Sequence, residues 1–482
     1  MKCIDLQKGL GSSMENKYKR LVSNTALFAI STFSSKLLFF VMAPLFSYWF
    51  DTQQMAGIKE LLNQFANFCI PVVSLGISNA VIRFGLDKNI DKRQVYTNGF
   101  VAVGMGFAVL LAVSPLLARI SWYTDYIALL CVYVLVSCLR TLNCQFVRAR
   151  QLNRLYAIDG ILCTIVTCLF YVLFLRFLNL GPTGYLLAVI CGDGFSTLFL
   201  FCTARLWKFI RFGGKKGLLR QMLRYSLPLV PASIFWWVTN ASDQMFVAAM
   251  MKDGEAVAAV YGSSYKLPTI LTVVASIFTE AWQISAFTDG TEAQREKFFS
   301  RVFDAYQGLM FVAGAGLILM AQPFMLLFRK DYFYGWHFIP LLVIATIFSS
   351  LSNFLNSIYM VEKRSGLSLY TMAVGAGLNC VLNFLLIPKM GVNGAVVATL
   401  ISYVVVFLLR VYNTRSLVRI QFAPLKLCVN TAVLLLESLL MLYEIPLWPL
   451  WCVLLCFLAL FVNLQEIGST VMQLLHTRRG KN

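Results

Sequence analysis

Apolar runs of bilayer length follow one another along almost the whole of this 482-residue chain. They fall approximately at residues 23–49, 58–82, 95–118, 126–147, 157–178, 184–205, 226–250, 256–282, 302–323, 338–360, 367–387, 394–411, 425–443 and 446–464. Each is close to the ~20 residues that carry an α-helix across a hydrocarbon core. None shows the alternation of a barrel strand, so the runs read as helices. The expectation is an all-α polytopic membrane protein with about fourteen transmembrane helices. Composition agrees. Only 13% of residues are charged and 59% are hydrophobic, whereas a soluble chain carries about 25% charged residues.

The formal net charge is +19, from 41 Lys plus Arg against 22 Asp plus Glu. In a soluble protein this excess would raise the question of nucleic acid. Here the cations sit in short segments between apolar runs, which is how a membrane protein fixes its orientation. With the N-terminus in the cytoplasm, most cations fall inside. Among them are Arg83, Lys88, Lys92 and Arg93, then Arg148, Arg150 and Arg154, the stretch from Arg205 to Arg224, and Arg410, Arg415, Arg419 and Lys426. An even helix number returns the C-terminus to the same side, so both termini are expected in the cytoplasm. Lys17-Tyr18-Lys19-Arg20 precedes the first run, and no small-residue cleavage site follows it. The first run therefore reads as a retained helix rather than a signal peptide. Met14 is an alternative start to Met1.

Most of the thirteen cysteines, including Cys131, Cys138, Cys163, Cys168, Cys452 and Cys456, lie inside apolar runs, where a thiol behaves as a small hydrophobe. Two histidines, His337 and His476, are too few for a zinc site. No metal or bound cofactor is expected.

The longest hydrophilic connector, 206–224, divides the chain, and a repeat is visible across it. Gly181-Pro-Thr-Gly184 opens the sixth run as Gly391-Val-Asn-Gly394 opens the twelfth, and Ala56-Gly57 at the second matches Tyr261-Gly262 at the eighth. Both offsets are roughly 205–210 residues, as a duplicated six-helix unit requires. The expected organisation is a cytoplasmic tail (1–22), an N-lobe of six helices (23–205), a basic cytoplasmic linker (206–224) and a C-lobe of six helices (225–412). Two further helices and a cytoplasmic tail complete it (413–482). Transporters are commonly built from such repeats, with the substrate path at their interface.

A resemblance accompanies this layout. Asn24-Thr25-Ala26-Leu27-Phe28, Ser35-Lys36-Leu37, Ala43-Pro44-Leu45-Phe46, Ala56-Gly57 and the stretch Ser74-Leu75-Gly76 through Arg83-Phe84 resemble the polysaccharide transporter (Wzx-type flippase) family of the MOP superfamily. In the second half the resemblance is carried by Tyr225 through Pro231, Asp243, Tyr261-Gly262, Lys266 and Gly391 through Ala395. It implies a MATE-like pair of six-helix lobes enclosing a cavity open alternately to either side of the bacterial cytoplasmic membrane. It also implies the cargo, an undecaprenyl-pyrophosphate-linked oligosaccharide for surface polysaccharide such as O-antigen or exopolysaccharide. Glycosyltransferases and a polymerase are the implied partners.

Charges within apolar runs are costly, at least ~2.5–3.5 kcal/mol each, so each needs a partner or a wet cavity. Lys36, Lys266, Arg140 and Arg83 are candidates for holding the pyrophosphate. For each the alternative is structural: pairing with neighbouring polar groups, snorkelling for Arg140, anchoring for Arg83. Asp243 and Lys266 lie equally far from a turn near Asp253-Gly254, hence at one depth, and are expected to pair, either as a static clamp or as a switch. Asp193, within Gly192-Asp193-Gly194, is a candidate for a coupling proton or Na+, or for a hydrogen bond across a close glycine contact. Asn240, Asn353, Asn356, Asn379 and Asn383 suit sugar hydroxyls or interhelical bonds, with Asn353 and Asn356 sharing a face. Glu280 reads as interfacial, and Glu437 falls outside the repeat without a role.

Two other functions compete. A membrane glycosyltransferase or polymerase needs a sizeable outer loop, and the largest here, near Arg329 to His337, is of ordinary length. No nucleophile-and-base set appears. A multidrug antiporter would favour acidic cavity residues, whereas Lys36 and Lys266 favour an anion.

Overall fold

The computed structural model describes residues 40–87, 89–117, 119, 124–211, 217–286, 292–361, 364–418 and 423–479. Among these the regular structure is helical, with no strand. In order the helices are α1 (Phe40–Trp49), α2 (Gln53–Val73), α3 (Ile77–Leu86), α4 (Lys92–Leu117), α5 (Ile127–Ala149), α6 (Asn153–Tyr171), α7 (Gly181–Thr203), α8 (Gly217–Ser226) and α9 (Val230–Met250). They continue with α10 (Gly254–Ser264), α11 (Thr269–Ala286), α12 (Glu292–Leu319), α13 (Ala321–Met325), α14 (Ile339–Val361), α15 (Ser365–Met390), α16 (Val392–Thr414), α17 (Pro424–Leu442) and α18 (Trp448–Arg479).

Every apolar run from the second onward coincides with helix; of the first only its end, α1, lies within the described residues. Nine described helices are long and apolar enough to cross a bilayer, or ten with α2 and α3 taken as one bent span. That number is consistent with about fourteen spans without fixing it. Polarity is inverted relative to a soluble protein. Leu169, Leu198, Phe384 and Phe461 are exposed, while Asp159, Asp193, Asp243 and Glu437 are buried, as a lipid solvent demands.

Two runs are interrupted, for readable reasons. Between α2 and α3 the chain bends by 49°. Leu75 and Gly76 both take positive φ there. The eighth run breaks between α10 and α11 at Tyr265–Pro268, where Pro268 has no N–H to continue the helix ladder. The two hairpin motifs of the repeat do the same job twice. Gly181 (φ 55) and Gly391 (φ 61) make the left-handed turn. Three residues on, a Cβ at Gly184 would lie 3.1 Å from the Phe174 carbonyl oxygen, and one at Gly394 would lie 2.5 Å from that of Leu386.

The chain divides into two compact units. The first contains Leu62–Ser233, the second Ala43–Leu61 together with the chain from Ile234 on. The boundary thus falls inside α2, and the packing division differs from the sequence repeat. Within the first unit α5 packs on α3 and α7, and α6 on α7. Its connectors meet one another: Arg83 stacks over the Tyr225 ring at 4.5 Å, and Arg150 donates from Nη1 to the Ala204 carbonyl at 2.7 Å.

Within the second unit α16 packs on α14 and α15, and α12 on α18. Arg329 fastens residues 43–61 there. Its Nη1 donates to the Phe50 carbonyl at 2.8 Å, its backbone N–H to Ser47 Oγ at 3.0 Å, and its Nη2 pairs with Asp331 at 2.6 Å. Hydrogen bonding to Asp331 pushes the guanidinium above its ordinary range. Gly57 lets α2 approach the start of α10 closely: a Cβ there would sit 1.7 Å from the Glu255 carbonyl oxygen.

Candidate functional site

In the second unit, Asp243 on α9 is 3% exposed and faces donors from three other helices. Asn383 on α15 donates to its Oδ1 at 2.6 Å, Tyr261 on α10 donates to Oδ2 at 3.1 Å, and Thr399 on α16 donates to Oδ2 as well. Asn379, one turn before Asn383, accepts from Asn383 at 3.1 Å and from Ser242 at 3.4 Å. Asn379, Asn383 and Thr399 are all essentially inaccessible. One oxygen is left over. Asn383 Oδ1 is buried without a hydrogen-bond partner, although buried polar atoms are rarely unsatisfied. The Asp243 carboxylate is thus held by neutral amide and hydroxyl donors, with no cationic side chain among these partners, a setting in which it could take up a proton.

The expected Asp243–Lys266 pair is not formed. Equal depth was the basis of that expectation, and depth says nothing of angular phase. Tyr261 is the α10 residue that meets Asp243; Lys266, five residues on, is about 140° away around a helix and lies past the end of α10. Its Nζ is instead 3.6 Å from Glu60 Oε1. That same oxygen takes a 2.6 Å contact from Lys59 Nζ, which also stands 4.7 Å over the Phe46 ring. Lys59 and Glu60 are 5% exposed each, while the Lys266 side chain keeps 36% of its surface open. Two lysines thus approach one carboxylate oxygen.

The first unit holds a separate network. Arg140 on α5 reaches Asp193 on α7 at 3.1 Å and donates from Nε to Ser196 Oγ at 3.2 Å. Ser137, one turn from Arg140, donates to Asp193. Ser196 in turn donates to Asp159 on α6, at 2.7 and 2.9 Å to its two oxygens. Helical spacing of three puts Ser137 with Arg140 and Asp193 with Ser196 on common faces. In the Gly192-Asp193-Gly194 motif a Cβ at Gly192 would meet Thr167 Oγ1 at 1.9 Å, and Asp193 hydrogen-bonds to Ser137 and Arg140 on α5. Asp159 was not singled out from sequence; it stands near the start of an apolar run.

Of the remaining candidates, Arg83 is exposed on its Tyr225 ring. Asn353 is exposed, and Asn356, three residues on in the same helix, accepts from Ser368 at 2.5 Å. Lys36 and the side chains of Asn240 and Glu280 lie outside the described residues. Arg410, assigned from sequence to a cytoplasmic segment, is 2% exposed inside α16 and donates to the Ser352 carbonyl at 2.8 Å and to Thr371 at 3.1 Å. Glu437 on α17 is fully buried; Cys456 approaches its Oε1 at 3.6 Å, and its Oε2 has no partner.

A family model described as polysaccharide biosynthesis protein matches residues 54–333. The chain belongs to the polysaccharide biosynthesis protein family. Solved structures share its fold. The lipid II flippase MurJ in an inward closed conformation superposes with a TM-score of 0.68 at 15% identity, covering 93% of this chain and 100% of that one. An inward-facing multidrug resistance MATE family transporter of the MOP superfamily gives 0.62 at 14%, covering 80% and 97%. A MATE in the straight conformation gives 0.56 at 14%, covering 82% and 94%. No curated protein sequence matches the chain. The family agrees with the polysaccharide side of the resemblance, and the fold is one shared with solved MurJ and MATE structures. This family member is a multi-pass membrane protein.

Proposed function

We propose that the chain moves an undecaprenyl-pyrophosphate-linked oligosaccharide from the inner to the outer leaflet of the bacterial cytoplasmic membrane by alternating access. Both termini face the cytoplasm, and glycosyltransferases and a polymerase of a surface polysaccharide act before and after it. The observation that carries this reading is the cluster of Lys59, Glu60 and Lys266. A partly open lysine in a membrane segment is suited to meeting an anion, and a diphosphate is such an anion. Lys266 keeps an open flank and a long 3.6 Å contact to Glu60, so it is the lysine suited to exchange its carboxylate for phosphate oxygen. The Asp243 cluster supplies a second role, taking up a coupling proton or Na+ among the oxygens of Asp243, Asn379, Asn383 and Thr399.

The test is transport in cells. Deleting the protein should trap lipid-linked repeat units on the cytoplasmic face; Lys266→Ala should do the same, and Lys266→Arg should restore flipping. Normal surface polysaccharide in the deletion strain, with no second carrier present, overturns the assignment. Drug hypersensitivity with normal polysaccharide would instead favour a multidrug antiporter.

A further inference from the structure

Away from these clusters, the first unit contains a cavity of about 450 Å³ whose lining, among the described residues, includes Arg93, Arg150, Arg205 and Lys208 and no carboxylate. The four cations come from separate places: the first turn of α4, the residue after α5, and the short turn that follows α7. Arg150 is held in place by the Ala204 carbonyl at 2.7 Å and by the Phe209 ring at 4.6 Å. Leu152 and Phe209 supply apolar wall. The cytoplasmic end of a helix bundle needs positive charge somewhere, but orientation asks only for cations in solvated loops. It does not ask that four be gathered round one concavity, where their fields add and are focused. Trp207, exposed between Leu206 and Lys208 on the same turn, is the residue type that sits at headgroup depth.

We propose that this basin binds a phosphate ester at the membrane–water boundary, either the headgroup of an anionic phospholipid or a soluble phosphate. Guanidinium and ammonium groups in this number match phosphate oxygens. The apolar wall suits the glycerol and first methylenes of a lipid. This site does not depend on what the transporter carries.

Titration of the purified full-length protein in uncharged detergent decides it, with dioctanoyl phosphatidylglycerol, dioctanoyl phosphatidylcholine and inorganic phosphate as probes. Phosphatidylglycerol should bind and phosphatidylcholine should not, and affinity should fall as salt is raised. Arg93→Gln and Lys208→Gln should each lower affinity about fivefold, while Lys389→Gln, an exposed cation on the other unit, should leave it unchanged. Competition by inorganic phosphate at low millimolar concentration assigns the site to soluble phosphate; its failure to compete assigns it to the lipid. Equal binding of the two lipids by the native protein overturns the proposal without recourse to any variant. So does a Lys389→Gln loss as large as that of Lys208→Gln, which would mean diffuse surface charge.

Discussion

Asp243 and Glu437 are both buried carboxylates with no lysine or arginine among their hydrogen-bond partners, and their surroundings treat them oppositely. Asp243 is met by Asn383, Tyr261 and Thr399; Glu437 has the weak thiol of Cys456 and an oxygen left bare. Removing the first strands several donors, each worth about 1–3 kcal/mol when left buried and unmet. Asp243→Leu should therefore lower the thermal midpoint clearly and abolish any cation dependence of transport. Glu437→Leu should leave the midpoint unchanged or raise it, because a buried group without partners contributes cost rather than stability. Thermal unfolding of the two purified variants side by side checks both. Arg140→Ala, which leaves Asp193 without its cation, should destabilise by the low end of about 3–5 kcal/mol, since the Arg140 side chain is 31% exposed.

Residue-scale detail was only partly legible in the sequence. Charges in the middle of runs, Arg140, Asp193 and Asp243, announced themselves by their cost. Lys59 and Glu60, which stand where a run begins, were not singled out. A signal existed all the same. Lys59 and Lys266 are separated by the same roughly 205–210 residues as the glycine motifs, so the repeat itself paired them. What no pattern conveyed was angular phase, which gave Asp243 to Tyr261 and Lys266 to Glu60.

At the scale of elements, hydropathy located the helices well, since a bilayer leaves few other ways to satisfy a backbone. It could not report the breaks at Leu75-Gly76 and at Tyr265–Pro268, which arise from single backbone conformations inside unbroken apolar runs. The hairpin glycines were visible as a motif, and the close approach explains them. Gly394→Val should therefore be severely disruptive, as the new atoms meet the Leu386 backbone and overpacking costs about 1–3 kcal/mol or more. Gly104→Val, at an open site on α4 with nothing within 4 Å of a Cβ, is the matched control. Detergent-extracted yield and thermal midpoint distinguish them. Arg329→Ala should loosen residues 43–61 from the second unit, read as faster proteolysis near Phe50.

For the whole molecule, the segments expected on one side of the membrane keep company with each other. Arg83 meets Tyr225 and Arg150 meets Ala204; residues 50–57 meet Glu255 and Arg329. With cytoplasmic termini, a green fluorescent protein fused at the C-terminus should fluoresce, and alkaline phosphatase fused after Lys389 should be active. The reverse pattern would invert the orientation.

Ala43–Leu61 belongs by packing to the later unit, although it is encoded long before it. A chimaera of two relatives joined once, at the basic linker, therefore brings a foreign piece into the body it was meant to keep whole. Recombination that respects this architecture needs two additional crossovers, near residues 43 and 62, so that the early insert travels with its hosts Lys266 and Arg329.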